Sequence, residues 1–195
     1  MDTEVIGCKP KNEILSSYWY WKKAISDSLI DCFFDEIKDL PFKQGKTFSS
    51  VIYGHEKTPD VRNSDTILFD PIHWLSGILF NYAIRANIQA EWNIGITVPE
   101  TLQLAQYGPS QHYGWHDDSD FFFKRATIRK LSVICMLSDK SEYDGGQLEF
   151  EHIGQIEFDK GDIIVFPSFL KHRVIPVTSG IRKTSTLWIL GNRIC

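Results

Sequence analysis

Cysteine, long apolar runs, low-complexity stretches and net charge are all scarce in this chain. Only four of its 195 residues are cysteines (Cys8, Cys32, Cys135 and Cys195), scattered and without a CxxC pair. That argues against a zinc knuckle and against a disulfide framework. No apolar run approaches the ~20 residues of a membrane-spanning helix, so no membrane partner is expected. The opening residues, Met1 to Glu4, lack the basic-then-apolar pattern of a signal peptide, and the expected location is cytoplasmic. No stretch rich in Pro, Gly or Ser divides the chain and no internal repeat appears, so residues 1–195 read as a single domain. The formal charge is −4, from 21 basic and 25 acidic residues. This mild acidity disfavours a nucleic-acid partner.

Apolar residues are present in quantity: 43% of the chain is hydrophobic and 13% aromatic. A chain of this length buries roughly 70% of its unfolded surface and needs no covalent or metal staple to fold. It also carries six histidines, His55, His73, His112, His116, His152 and His172. Whether any of them bind a metal is a question of spacing.

The pattern changes near residue 97. Residues 1–96 read as a mainly helical support region. Leu29, Ile30, Phe33, Phe34 and Ile37 recur at helical spacing behind the N-cap types Ser26 and Asp27. Asp70-Pro71 announces a second helix, with an apolar stripe of Ile72, Leu75, Ile78, Leu79, Tyr82 and Ala86. Residues 41–69 between them read as loop and short strand. Beyond residue 97, Thr101–Tyr107, Leu131–Leu137, Gln147–Glu151, Ile163–Phe166 and Thr184–Leu190 are short strand-like runs. Turn residues such as Gly108-Pro109, Asp144-Gly145-Gly146 and Ser179-Gly180 separate them. Such spacing predicts a β sandwich or barrel, with the helices covering one outer sheet face.

The densest chemistry lies in the segment from Tyr107 to Asp118. On an extended strand His116 and Asp118 share a face while Asp117 points away. His172, near the start of a later strand, is the candidate third ligand. Two imidazoles and one carboxylate on one face of an octahedron leave three positions open, the arrangement of non-heme Fe(II) sites. An HxD pair alone more often marks a surface turn. His112 and His116 have a helical zinc spacing, but Gly108, Pro109 and Gly114 make a helix there improbable. His55, His73 and His152 have no ligand-spaced neighbour and read as packed or surface residues.

A later segment adds weight. Arg182, Thr184, Thr186 and Trp188 share one strand face, and Lys183, Ser185, Leu187 and Ile189 share the other. The first face is polar with an aromatic end, as a ligand-lined interior would be. An arginine there can clamp a carboxylate by charge-assisted hydrogen bonds, although a lone arginine more often forms a surface ion pair.

These residues resemble a known family. Tyr107, Tyr113-Gly114-Trp115-His116-Asp117-Asp118, Leu131-Ser132, Tyr143-Asp144-Gly145-Gly146, Gly161-Asp162, Phe166-Pro167-Ser168, His172 to Val177 and Gly180-Ile181-Arg182 follow the order and spacing of the 2-oxoglutarate/Fe(II)-dependent dioxygenases. Within them the pattern is most similar to the prolyl 4-hydroxylase-like, PKHD-type hydroxylases, over roughly residues 97–190. Val61 to Ser64 and Trp74 to Asn87 carry weaker similarity.

The resemblance implies a mainly β fold with flanking helices: a double-stranded β-helix, or jelly roll, over residues 97–190, with the N-terminal helices packed on one sheet. It implies that His116, Asp118 and His172 bind Fe(II). It assigns Arg182 to the distal carboxylate of 2-oxoglutarate, where prolyl 4-hydroxylases proper often use lysine. Tyr107 and Thr184 become hydroxyl contacts to that cosubstrate, and Trp188 an aromatic closing its pocket. O2 is the second cosubstrate, and L-ascorbate is implied as a reductant that keeps the iron Fe(II). The implied reaction hydroxylates a protein or peptide residue, prolyl first, releasing succinate and CO2. The same chemistry on a small molecule or nucleobase, and an inactive jelly-roll binding module, are the alternatives.

Tyr107, Tyr113, Trp115 and Trp188 are candidates for the dry walls of such a site, with plain packing the alternative for Tyr113 and Trp115. Phe121-Phe122-Phe123-Lys124-Arg125, with Arg129 and Lys130, reads either as a mobile lid over an extended peptide or as a seal on one end of the barrel.

Overall fold

The computed structural model describes residues 5–8, 17–45, 61–119 and 126–193. In chain order its elements are β1 (Val5–Cys8), β2 (Tyr18–Trp21), α1 (Asp27–Ile37), β3 (Lys43–Gln44), β4 (Arg62–Asn63), β5 (Asp65–Phe69) and α2 (Trp74–Gln89). There follow β6 (Leu102–Tyr107), β7 (His112–His116), β8 (Thr127–Met136), β9 (Tyr143–Gly145), β10 (Leu148–Phe150) and β11 (Gly154–Ile156). The last four are β12 (Ile163–Pro167), β13 (His172–Val174), β14 (Val177–Gly180) and β15 (Arg182–Asn192).

Eight strands form one sheet in the order β1-β2-β12-β8-β15-β6-β5-β3, and five form a second in the order β11-β10-β13-β7-β4. Each of these pairings is antiparallel. Strand alternation assigns the two faces of the larger sheet. On β8, Leu131, Val133 and Cys135 join the cluster that holds Ile30, Phe33, Leu75 and Leu79 of the helices. Ile134 and Met136 join a second cluster with Leu148 and Phe150 of the smaller sheet. The double-sheet jelly roll and the helices packed on one sheet are therefore as expected. No helix among the described residues is long and apolar enough to cross a membrane.

α1 begins where its sequence predicts. The Ser26 hydroxyl accepts from the Leu29 amide at 3.4 Å, and Ile30, Phe33 and Ile37 are buried. α2 begins later than Asp70-Pro71 implied. Asp70 accepts instead from the Ile72 amide at 2.9 Å, closing a turn that leaves Ile72 90% exposed. The N-cap is His73, whose Nδ1 accepts from the Leu75 amide at 3.2 Å, while its Nε2 lies 3.2 Å from Glu36. A short Asx turn satisfies the Asp70 side chain locally, so the helix starts three residues on. The N-terminal region also supplies strands: β1, β2, β3 and β5 extend the larger sheet, and β4 edges the smaller one.

Candidate active site

The site lies between the two sheets. β7 and β13 are neighbours in the smaller sheet, and their register sets His116 directly opposite His172. The HxD segment leaves β7 at His116, and Asp118 is held just beyond the strand by its amide, which donates to the Ser168 carbonyl at 2.8 Å. Ligand atoms of His116, Asp118 and His172 then all lie within 4.8 Å of one another. Each imidazole Nε2 is 3.7 Å from an Asp118 oxygen.

Two backbone carbonyls orient these imidazoles. His116 Nδ1 lies 2.8 Å from the Gly114 carbonyl and His172 Nδ1 lies 2.8 Å from the Leu170 carbonyl. A carbonyl only accepts, so both Nδ1 atoms carry the proton and both Nε2 lone pairs face the cluster. Burial, with His172 alongside, holds the His116 imidazole well below its ordinary value, so it is neutral at pH 7. Burial alone would raise the Asp118 carboxyl, but His172, His116 and Arg129 outweigh it, and the hydroxyl of Ser132 donates to its Oδ2 at 2.7 Å. Asp118 therefore stays ionised. The Ser132 hydroxyl in turn lies 3.0 Å from that of Ser168.

β15 lines the same cavity from the larger sheet. Arg182 pairs with Tyr107, Thr184 with Ala105 and Thr186 with Gln103, which brings their side chains together on one face. Arg182, Thr184, Thr186, Trp188, Tyr107, His116, Asp118 and His172 all border this cavity. Arg182 is 1% exposed, its guanidinium 5.5 Å from the Tyr107 ring centre. Among the described residues no carboxylate pairs with it, and its Nε and Nη1 have no hydrogen-bond partner. A buried cation without a counter-ion is costly, so this arrangement calls for an anionic ligand. Gly146 lets the arginine through: its φ is +67°, and a Cβ there would sit 2.8 Å from Arg182 Cδ.

All seven site residues named from sequence thus meet in one cavity. Sequence reasoning assigned nothing to Arg62, Gln103 or Ser132, although the first and last lie in the segments carrying the resemblance. Arg62 is buried, lines the cavity and lies 4.8 Å from the Tyr113 ring centre. Tyr113 lines the cavity and stacks on His116. Trp115 does not: it is 37% exposed beneath the Arg173 guanidinium, because the strand turns it to the outer face. Arg129 belongs to β8, where it contacts Glu100 at 2.5 Å and lies 3.9 Å from the Trp188 ring centre, so it packs behind Trp188 on a strand rather than forming part of a lid. Lys130, also part of that expected lid, lies on β8 as well, and Phe121 to Arg125 lie outside the described residues. His112 stands on β7 outside the cluster, His73 caps α2, and His152 is exposed beside Glu151. His55 lies outside the described residues. Of the cysteines, Cys135 is buried in the core and Cys32 is exposed.

The fold is a jelly roll, and its His-Asp-His donor set is of the kind that holds a non-heme metal. Residues 102–190, a little under half of the chain, match the model of the 2OG-Fe(II) oxygenase superfamily. A PKHD-type hydroxylase of Acidovorax ebreus (strain TPSY) is 34% identical over 106 residues, 49% of this chain and 47% of that protein. Another, from Synechococcus sp. (strain CC9902), is 40% identical over 80 residues, 40% of this chain and 35% of its own length. The matched stretch thus spans less than half of each of these two relatives. Among solved structures, a viral collagen prolyl hydroxylase of Paramecium bursaria Chlorella virus-1, crystallised with 2-oxoglutarate, superposes with a TM-score of 0.69. It is 22% identical, and the match covers 90% of this chain and 97% of that one. A Pseudomonas putida prolyl-4-hydroxylase superposes at 0.67 with 20% identity, covering 91% and 93%. These likenesses establish a shared fold.

Proposed function

We propose that this chain is an Fe(II)- and 2-oxoglutarate-dependent dioxygenase that hydroxylates a protein or peptide residue, prolyl first. One observation carries the reading: a His116–Asp118–His172 cluster and a buried guanidinium without a counter-ion border the same cavity. The names of the PKHD-type relatives and of the prolyl hydroxylase neighbours support hydroxylation as the chemistry and proline as the first target.

The donor set suits Fe(II). Two imidazoles and one carboxylate leave coordination positions open. Iron with 2-oxoglutarate and O2 supplies the oxidising power of the reaction, releasing succinate and CO2. The chain's own residues orient and enclose. The Gly114 and Leu170 carbonyls fix both imidazole tautomers. Ser132 occupies one oxygen of Asp118 and so limits how the carboxylate can turn. Arg182 holds the distal carboxylate of the cosubstrate, with the Tyr107 and Thr184 hydroxyls beside it. Trp188, Tyr113 and Ile134 keep water from the cavity, where each electrostatic contact is the stronger for their presence. Ascorbate, as a reductant for the iron, belongs to the same proposal.

Anaerobic addition of Fe(II) and 2-oxoglutarate should produce a weak visible charge-transfer band, absent in His116→Ala. A band that survives in His116→Ala defeats the ligand assignment. For the substrate, incubation with host-cell proteins and O2 should yield protein bearing one added oxygen, read by mass spectrometry. Succinate formed without oxidised protein assigns the enzyme to a small-molecule substrate.

A further inference from the structure

Tyr143 stands behind Arg182 and has no part in the roles assigned above. It is half-buried on β9 beside the Arg182 guanidinium, and its hydroxyl lies 3.9 Å from Met136 Sδ. Its ring packs in the apolar cluster of Met136, Leu148 and Phe158. Those same side chains, with Tyr143 and Gly146, line a second cavity of about 350 Å³. Leu148 borders both cavities. Leu148 therefore separates the two cavities, with Arg182 lining the first and Tyr143 lining the second.

We propose that Tyr143 determines the length of the 2-oxo acid that the site accepts, by fixing Arg182 and closing the pocket behind it. This rests on the assignment of Arg182 to the distal carboxylate. An arginine carries its guanidinium on a long flexible stem, so the depth at which it meets a carboxylate is set by whatever stops the stem. Gly146 leaves room on one side, and Tyr143 provides the stop. A 2-oxo dicarboxylate one methylene longer than 2-oxoglutarate reaches Arg182 before its keto-acid end is seated. Arg182 can recede to accommodate it only if Tyr143 yields toward the second cavity. A single methylene in such a pocket discriminates by roughly 10- to 200-fold.

The test is equilibrium binding, by anaerobic calorimetry on the full chain loaded with Mn(II) in place of Fe(II). The ligands are 2-oxoglutarate and 2-oxoadipate; the proteins are wild type, Tyr143→Phe, Tyr143→Ala and Arg182→Met. Wild type should prefer 2-oxoglutarate within that range. Tyr143→Phe, which keeps the ring, should weaken 2-oxoglutarate binding and retain a preference. Tyr143→Ala should bring the two affinities to near equality. If Tyr143→Ala does not fold, Tyr143→Leu keeps the apolar contact to Met136 while shortening the side chain, with the same expectation. A wild-type preference preserved in the shortened variant, or no preference in wild type, overturns the proposal. Arg182→Met separates the two readings. Unchanged 2-oxoglutarate binding in that variant removes the Arg182 assignment itself. Binding lost there, with the preference intact in Tyr143→Ala, removes only the role of Tyr143.

Discussion

Single hydrogen bonds decide how the three candidate ligands are presented. The Ser132 hydroxyl is buried, and Asp118 Oδ2 is its acceptor at 2.7 Å. Ser132→Ala is therefore expected to lower Fe(II) affinity about 10- to 100-fold, the usual effect of removing a residue that orients a metal ligand. Anaerobic metal titration measures it, and an unchanged melting temperature would separate it from unfolding. Arg182 is a buried cation whose Nε and Nη1 have no acceptor in the protein. Replacing it with Met removes charge-assisted hydrogen bonds to the bound acid, and 2-oxoglutarate affinity should fall about 10- to 100-fold. The empty protein should lose little stability from this change, because Met is apolar and of similar length; thermal denaturation without ligand checks that.

At the scale of elements, period-two alternation lets one strand serve two environments. β15 turns Leu187 and Ile189 toward the helices while Arg182, Thr184, Thr186 and Trp188 face the cavity. β2 joins the larger sheet beside β12 and is tied to it by a buried polar link as well as its ladder. The Tyr20 hydroxyl donates to Asp162, whose carboxylate also accepts from the amides of Lys23 at 2.8 Å and Asp159 at 2.9 Å. Tyr20→Phe removes a bond to a charged acceptor and should cost about 2 kcal/mol. For a chain of this size that is a fall of roughly 4–8 °C in Tm. Burial, and then the Asp162 carboxylate, raise the Tyr20 hydroxyl above its ordinary value, so folding favours the protonated form. The associated stability is complete below pH about 10, the unfolded value, and is lost as pH rises beyond it. Alkaline denaturation of Tyr20→Phe should accordingly show a shallower pH dependence than wild type.

Across the whole molecule, the N-terminal region completes the β core. β2 pairs with β12, and β5 pairs with β6. α1 and α2 cover Leu131, Val133, Leu187 and Ile189. A fragment of residues 97–195 retains the residues matched to the superfamily but exposes the edges of β12, β6 and β7 and that apolar face. It is expected to aggregate or remain unfolded, as judged by size-exclusion chromatography and far-ultraviolet circular dichroism. A monodisperse fragment that binds Fe(II) would show that the support region is dispensable.

Local patterns carried a large part of this protein. The strand runs after residue 97, α1 behind Ser26, the shared face of Arg182 to Trp188 and the pairing of His116 with Asp118 are all short-range, set by strand parity and helix capping, and so readable from sequence. The N-cap of α2 was misplaced because an Asx turn and a cap use the same residue types, and only the contact of His73 with Glu36 chose between them. The outward turn of Trp115 and the place of Arg129 on Trp188 depended on packing between distant segments. So did the meeting of His172 with His116, which the family resemblance implied and strand register produced: β7 and β13 are far apart in sequence and adjacent in the sheet. Sequence alone determined which residues could share a face. Tertiary structure decided which faces meet, because strand pairing and burial join residues that no local period connects.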